Sequence, residues 1–231
     1  MDERDARPKS SRAGLWSRRE VIGRGTVIGA AISIPAAGTA TMESAFAAVA
    51  PKAAAALSAG ESALLRAIVA RLIPTDANGP SGVDAGAAAY IEKALAGGLA
   101  GGLKNLAGFY SAGLAAVDAY ATSAYGAAFA ALAPDKQDAV LSDMEAGKAT
   151  GFLPSSAAFF AAVHEHTIQG MFGDPVYGGN KNFAGWDLIG YPGVRMPVPP
   201  NDQKLNVTVK KAHKSTYADG QYPKAKKEAQ A

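Results

Sequence analysis

A helical repeat of apolar side chains constrains the fold of this chain more than any other feature of its sequence. In residues 156–172, mostly apolar side chains recur at i, i+1, i+4 and i+5, which places them on one face of an α-helix. The members of this face are Phe159, Phe160, Val163, His164, Thr167, Ile168, Met171 and Phe172. The preceding Pro154-Ser155-Ser156 is typical of a helix start. We therefore predict a mainly α-helical chain.

Start and stop signals predict four more helices upstream. Ser58 and Glu61 form a capping-box pattern before an apolar face that ends at Pro74, and Pro134 is suited to the first position of a helix. Gly126 is expected to interrupt the longest stretch. The predicted spans are 58–73, 84–96, 103–131 and 134–147. Beyond residue 173 the periodicity disappears, and the only strand candidate is the short stretch NVTV at 206–209.

Alanine dominates the apolar content, because hydrophobic residues make up 48% of the chain and aromatic residues only 8%. Alanine favours helix but buries little area per residue, so we expect closely packed helices around a modest core. The chain has no cysteine. Disulfides, iron–sulfur clusters, thiolate zinc sites and covalently attached c-type haem are therefore excluded in this chain.

The first 47 residues have the order of an export signal. A charged stretch precedes the apolar run VIGAAISIPAAG at 27–38, and an A-x-A cleavage pattern follows with Ala45 and Ala47. Arg18 and Arg19, within SRREVIG, resemble the twin-arginine signal, although Gly23 stands where lysine is usual. We predict a twin-arginine signal peptide over 1–47, with the twin-arginine translocase as a partner.

Charge gives no support for binding to nucleic acid. Removal of residues 1–47 takes seven basic and five acidic residues from totals of 23 and 20, which leaves a nearly balanced chain. Residues 201–231 nevertheless form a Lys-rich C-terminal arm, with seven lysines against three acids. This arm is expected to be a solvated terminus or, alternatively, to lie on an acidic partner.

The sequence contains no pattern that indicates catalysis or metal binding. His164-Glu165-His166 places two imidazoles at i and i+2, which lie on different sides of a helix, so they are unsuited to chelating one ion. His164 is expected in the core, and His166 nearer the polar side, where it would anchor the following segment or contact a partner. His213 is expected to be solvated. No serine elbow or phosphate-binding loop is present.

Residues 170–193, GMFGDPVYGGNKNFAGWDLIGYPG, contain the most specific pattern in the chain. The order D-P-x-Y-G-G-N, then G-W, then G-Y-P-G resembles the signature of the gluconate 2-dehydrogenase subunit 3 family. The matching residues are Gly170, Asp174, Pro175, Tyr177, Gly178, Gly179, Asn180, Gly185, Trp186, Gly190, Tyr191, Pro192 and Gly193, with His166-Thr167 upstream. A looser resemblance extends over most of the chain after residue 47.

The resemblance implies a non-catalytic small (gamma) subunit of a periplasmic, FAD-dependent sugar, polyol or aldonate dehydrogenase complex. In such complexes a large flavoprotein subunit holds FAD, and a multihaem cytochrome c subunit with haem c passes electrons to the membrane quinone. The small subunit is expected to support folding, stability and twin-arginine export of the flavoprotein. It would lie in the periplasm, associated with the inner membrane through its complex, and would hold no cofactor of its own.

Gly and aromatic residues at 170–193 predict a docking loop for the large subunit, within a helical domain spanning 48–200. The predicted partner-binding residues are His166, Phe172, Asp174, Pro175, Tyr177, Gly178, Gly179, Asn180, Trp186 and Tyr191. The alternative is that the loop packs on its own helices and closes the core. Two other functions stay open at this stage: a free-standing periplasmic binding or scaffolding protein and, ranked last, a hydrolase.

Overall fold

The computed structural model of the chain describes residues 57–99, 103–195 and 197–216. The predicted signal peptide at 1–47, with Arg18, Arg19, Ala45 and Ala47, lies outside the described residues, as does the arm beyond residue 216.

The described residues form six α-helices joined by loops and short 3₁₀ turns. The helices are α1 Ala59–Leu72, α2 Ala87–Leu95, α3 Ala107–Tyr125, α4 Pro134–Glu145, α5 Ser156–Phe172 and α6 Ala184–Ile189. The 3₁₀ turns are Leu103–Leu106, Phe129–Ala131, Pro175–Tyr177, Lys181–Phe183 and Pro200–Gln203. The mainly α fold is thus confirmed, but the strand predicted at 206–209 is wrong, because that stretch has no regular structure.

Helix α1 begins and ends where its sequence signals predicted. The Ser58 hydroxyl accepts a bond from the Glu61 N–H at 3.3 Å, and the Glu61 carboxylate accepts one from the Ser58 N–H at 2.7 Å. Helix α4 likewise starts with Pro134, and α5 is capped by Ser155, whose hydroxyl accepts from the Ala158 N–H at 3.2 Å.

Two predicted helices are shorter than expected. Gly126 adopts a left-handed conformation (φ +83°) and ends α3, so the predicted span 103–131 is one helix with a 3₁₀ turn on either side. Helix α2 begins at Ala87 rather than near residue 84. The delay arises because Ser81 and Asp84 bond each other in a local turn, with the Ser81 hydroxyl donating to the Asp84 carboxylate at 2.7 Å.

Helix α5 is the centre of the fold, because it packs against all five other helices. Its Phe159 ring meets the edges of Phe109 and Tyr110 from α3 at centroid distances of 5.4 and 5.7 Å. Gly113 of α3 leaves room for this ring, since a Cβ there would overlap Phe159. The core around α5 is otherwise built mostly from Leu, Ile, Val and Ala side chains.

A largely buried ion pair joins α1 to α4. The Arg71 guanidinium donates two bonds to the Asp138 carboxylate, at 2.8 and 2.6 Å, and the side chains are 16% and 6% exposed.

Within the described ranges, no helix is long and apolar enough to span a bilayer.

Candidate docking site

Residues 170–193, here called the docking segment, begin in the last turn of α5 and then fold back over the C-terminal end of this helix. Two glycines make the close approach possible, since a Cβ on Gly179 would collide with the Gly170 carbonyl oxygen and one on Gly185 with the Met171 carbonyl oxygen. The segment is therefore seated on the helix backbone itself, and no larger residue fits at these two positions without displacing it.

Asn180 is the main attachment of the segment. Its side-chain amide donates to the Gly173 carbonyl at 2.8 Å and accepts from the Gly185 N–H at 2.8 Å. Its own N–H donates to the Gly170 carbonyl at 2.8 Å. The side chain is fully buried and the backbone is left-handed (φ +44°), a conformation that asparagine tolerates better than most residues. Asn180 therefore holds the segment through bonds to its backbone and to that of α5.

Trp186 fills the space between the segment and α5. Its indole N–H donates to the Phe172 carbonyl at 2.8 Å, and the side chain is 5% exposed. Tyr191 meets the indole edge-on at a centroid distance of 4.8 Å, and Phe183 lies at 5.4 Å from it. Phe183 itself has a left-handed backbone (φ +61°), which costs a bulky residue about 1–2 kcal/mol.

Asp174 shapes the turn at the start of the segment. Its carboxylate accepts from the Val176 N–H at 3.0 Å and so caps the 3₁₀ turn Pro175–Tyr177. Gly178 ends that turn with φ +97°, a conformation in which glycine is unstrained. Lys181 then donates its N–H to the Ala85 carbonyl at 2.8 Å, which ties the segment to the loop before α2.

Four large apolar side chains of the segment are exposed to solvent. Val176, Tyr177, Ile189 and Tyr191 are 42%, 45%, 54% and 39% exposed. Most of the large exposed hydrophobic residues in the described structure lie between residues 176 and 207, and Leu153 is the exception. The segment thus combines an inner side fixed to the helices with an outer side that presents apolar area to solvent.

The part of the Lys-rich arm that the structure describes lies along the docking segment. Residues 210–216, here called the strap, form one backbone bond with it, from the Ala212 N–H to the Pro192 carbonyl at 2.7 Å, and one with the residue that follows it, from the Val194 N–H to the Lys214 carbonyl at 3.1 Å. Thr216 donates both its N–H and its hydroxyl to Asp174, at 2.7 and 2.8 Å.

His213 and Lys211 of the strap share one carboxylate of the segment. The His213 imidazole lies 2.9 Å from Asp187, and the Lys211 ammonium lies 2.7 Å from the same oxygen. The hydrogen bond from His213, and to a smaller extent the one from Lys211, lowers the pKa of the Asp187 carboxyl. His213 also stacks on the Phe183 ring at 4.9 Å and 2°. His213 is exposed, as expected, but it is not without partners.

His166 is not on the polar side of α5, and the prediction of its position was wrong. It is only 7% exposed, and its Nδ1 lies 2.6 Å from the hydroxyl of the fully buried Tyr110. Burial lowers the pKa of His166 from 6.5 to about 4 and raises the pKa of Tyr110. The imidazole is therefore neutral at pH 7, and we assign the ring proton to Nε2, so that Nδ1 accepts from the Tyr110 hydroxyl.

The predicted partner-binding residues divide into an inner and an outer group. The inner group is buried and consists of Asn180, Trp186, Gly179 and His166. For these residues the alternative prediction applies, namely that the segment packs on the chain's own helices. Tyr177 and Tyr191 are exposed, whereas Phe172, Asp174, Pro175 and Gly178 are intermediate. The exposure of Val176 and Ile189 was not predicted. The segment is irregular, so it has no hydrophobic periodicity from which exposure could be inferred.

No set of three or more His, Asp, Glu or Cys residues is grouped for metal binding in the described ranges. The two neighbouring histidines of α5 have different surroundings, since His164 stacks on Phe160 at 6.0 Å while His166 faces Tyr110.

Comparisons with known proteins point to a single family. No curated protein and no solved structure matches the chain. Residues 59–193 match the family described as gluconate 2-dehydrogenase subunit 3. The match begins at the first residue of α1 and ends at the last residue of the docking segment, so it covers the whole six-helix unit. The chain belongs to the gluconate 2-dehydrogenase subunit 3 family.

Proposed function

We propose that the chain is the non-catalytic small subunit of a periplasmic, FAD-dependent sugar, polyol or aldonate dehydrogenase complex. Its large partner would be the flavoprotein subunit, and a multihaem cytochrome c subunit would carry electrons from FAD to the membrane quinone. The observation that supports this role is the docking segment, which is bonded to α5 on one side and presents four exposed apolar side chains on the other.

A rigid segment with outward aromatic and aliphatic side chains is suited to protein docking. Because its backbone is already fixed by Asn180 and Trp186, little conformational entropy is lost when it binds. Tyr177 and Tyr191 offer large contact areas with few rotatable bonds. We therefore assign recognition of the flavoprotein to Val176, Tyr177, Ile189 and Tyr191, and assign the buried residues of the segment to holding its shape.

The complex is tested by purifying the tagged full-length chain from its native host and recording flavin and haem absorbance of the eluate. We expect flavin absorbance with a large co-eluting subunit. Tyr177→Ser/Tyr191→Ser should reduce the retained flavin about ten-fold, since aromatic anchors dominate such interfaces. Leu153→Ser is the matched control, because Leu153 is 69% exposed but lies outside the docking segment. A colourless monomer would instead support the free-standing binding or scaffolding protein.

We also propose that Arg18 and Arg19 direct export of the flavoprotein as well as of this chain. The twin-arginine route carries folded proteins, so a flavoprotein without a signal of its own could cross the membrane bound to this subunit. Arg18→Lys/Arg19→Lys should then keep both polypeptides in the cytoplasm, as measured by flavin in the periplasmic fraction. Unchanged flavoprotein export in this variant would contradict the shared-signal proposal and leave the subunit assignment intact.

A further inference from the structure

The strap crosses the docking segment along one continuous path. Its Lys211 and His213 bond Asp187, and its last residue, Thr216, bonds Asp174. Seven extended residues span at most about 25 Å, so all the groups that the strap contacts lie along one short stretch of surface. These groups, here called the strap site, are Asp174, Phe183, Asp187, Pro192 and Gly193.

Gly193 allows the strap backbone to approach the segment closely. A Cβ on Gly193 would lie 3.3 Å from the backbone nitrogens of His213 and Lys214, and its φ of +93° suits glycine. The Ala212 N–H donates to the Pro192 carbonyl at the same point. The strap site therefore receives an extended backbone as well as individual side chains, as peptide-binding sites commonly do.

The contacts of the strap identify the chemistry that the strap site accepts. Asp187 takes an ammonium and an imidazole, at 2.7 and 2.9 Å. The Phe183 ring stacks on the same imidazole at a centroid distance of 4.9 Å. Asp174 takes a backbone N–H and a hydroxyl, at 2.7 and 2.8 Å. The site thus fits an extended segment that offers a cation, a flat ring and a hydroxyl in this order. The strap supplies them with Lys211, His213 and Thr216.

The strap is held by contacts that can be exchanged for those of another chain. None of its residues is buried, so it covers little apolar area. Its Lys211–Asp187 ion pair joins side chains that are 47% and 36% exposed, and exposed ion pairs contribute little to stability. The base of the strap is held separately, because Arg195 donates to the Lys210 carbonyl and pairs with Asp202. The rest of the strap can therefore leave while its base stays attached.

The family match covers the strap site but not the strap. The match ends at Gly193, and the strap begins 17 residues later, at 210. Without the strap, the Asp187 carboxylate has no other bonding partner in the described ranges, and Asp174 keeps the Val176 N–H. The six-helix unit by itself consequently presents two carboxylates and an aromatic ring to a partner.

We propose that the strap site is a peptide-binding site and that the strap is its autoinhibitory occupant. An extended segment of the flavoprotein subunit, with a cation, a flat ring and a hydroxyl in the same order, displaces residues 211–216. It then pairs with Asp187, Phe183 and Asp174. Because the strap is tethered, it competes at a high effective concentration, so the partner segment must make several of these contacts at once. The identity of the partner rests on the proposed function, whereas the binding site does not.

The first test measures binding of a fluorescent peptide of residues 208–216, TVKKAHKST, to the full-length chain by anisotropy. Lys211→Ala/His213→Ala/Thr216→Val weakens the strap and should bind the peptide about ten-fold more tightly than the wild type, whose own strap competes. Adding Asp187→Asn should abolish this gain, because the carboxylate that takes the cation is lost. Lys204→Ala/Lys210→Ala is the matched control and should bind like the wild type, since neither side chain pairs with Asp187 in the described structure.

Equal affinities of the wild type and the strap-weakened chain would overturn the autoinhibitory strap. Absence of binding to the strap-weakened chain at about 1 mM peptide, the range of effective concentration for a tethered segment, would overturn the binding site itself. Circular dichroism of each variant confirms that the helices are intact.

The second test measures flavin retained when the complex is purified through the small subunit. The strap-weakened chain should retain about three-fold more flavin than the wild type, because the partner no longer has to displace a tethered competitor. Adding Asp187→Asn should reverse the gain. Flavin retention that ignores both changes would show that the flavoprotein does not use the strap site. If no variant and no wild type retains flavin, the proposed function fails, and the peptide measurement still decides whether the strap site binds.

Discussion

The buried Tyr110–His166 pair shows how one side chain makes stability depend on pH. The neutral imidazole accepts a hydrogen bond from the Tyr110 hydroxyl, and protonating Nδ1 would remove this acceptor and place a positive charge inside the core. The pKa of His166 is about 4 in the folded chain, below the ordinary 6.5. The unfolded chain therefore binds the proton more tightly, and stability falls as pH drops from about 6.5 to about 4.

We expect His166 to account for about 3 kcal/mol of stability that is present at pH 7.5 and lost at pH 4. His166→Gln keeps an acceptor for Tyr110 but does not titrate, so this part of the pH dependence should be absent. Urea denaturation of both proteins at the two pH values measures the difference. Equal losses in wild type and variant would show that the His166 pKa is not depressed by burial.

Asn180 carries the attachment of the docking segment, and Asn182 offers a matched comparison. Both have left-handed backbones (φ +44° and +54°), but only the Asn180 side chain bonds buried backbone groups. Asn180→Ala should cost about 2–4 kcal/mol, because it leaves one carbonyl and one N–H unsatisfied. Asn182→Ala should cost about 1 kcal/mol from backbone strain alone. Similar free energies of unfolding for both variants would contradict the role of the Asn180 amide.

At the scale of helices, close backbone contact holds α6 on α5. A Cβ on Gly185 would meet the Met171 carbonyl oxygen, which is part of the helix backbone and unable to move aside. Gly185→Ala should lift α6 and expose Trp186, whose fluorescence would shift to longer wavelength. A Trp16→Phe background leaves Trp186 as the only indole. Gly60→Ala is the control, since nothing lies within 4 Å of its added methyl group; its spectrum should not change.

The contribution of the Arg71–Asp138 ion pair to stability can be measured by removing one or both of its charges. Asp138→Ala leaves a largely buried guanidinium without its carboxylate, and we expect a loss of about 3–5 kcal/mol in the free energy of unfolding. Arg71→Met/Asp138→Leu removes both charges and fills the space with apolar atoms, so its loss should be less than half of that. If the double variant is as unstable as the single one, packing rather than desolvation dominates at this contact.

Sequence patterns predicted the elements that carry their own signals and missed those fixed by distant contacts. Ser58, Ser155 and Pro134 mark helix starts locally, and the structure has them there. Helix α6 was missed because its six residues are too few for a periodic pattern, and Gly185 and Trp186 fix it against α5. His166 was misplaced because α5 is surrounded by helices, so a second strip through Ala162 and Gly170 is also buried.

In the whole molecule, the strap links the chain end to the docking segment. Removing residues 210–231 frees Asp174 and Asp187 and uncovers Phe183, so amide hydrogen exchange across 174–193 should become at least ten-fold faster. Amides in α1 and α3 should keep their protection. Removing only 217–231 keeps the strap and is the control. Unchanged exchange in the longer deletion would show that the segment is held by α5 alone.

The docking segment also completes helix α5, whose last carbonyls have no partners within the helix. Gly170 accepts from the Asn180 N–H, Phe172 from the Trp186 indole and Gly173 from the Asn180 amide. Consequently the proposed recognition surface would lose its shape in an isolated peptide. Grafting it onto another scaffold, or exchanging it between relatives, requires the end of α5 and the Ala85 carbonyl to travel with it. The smallest transplantable unit is therefore α2, α5 and the segment together.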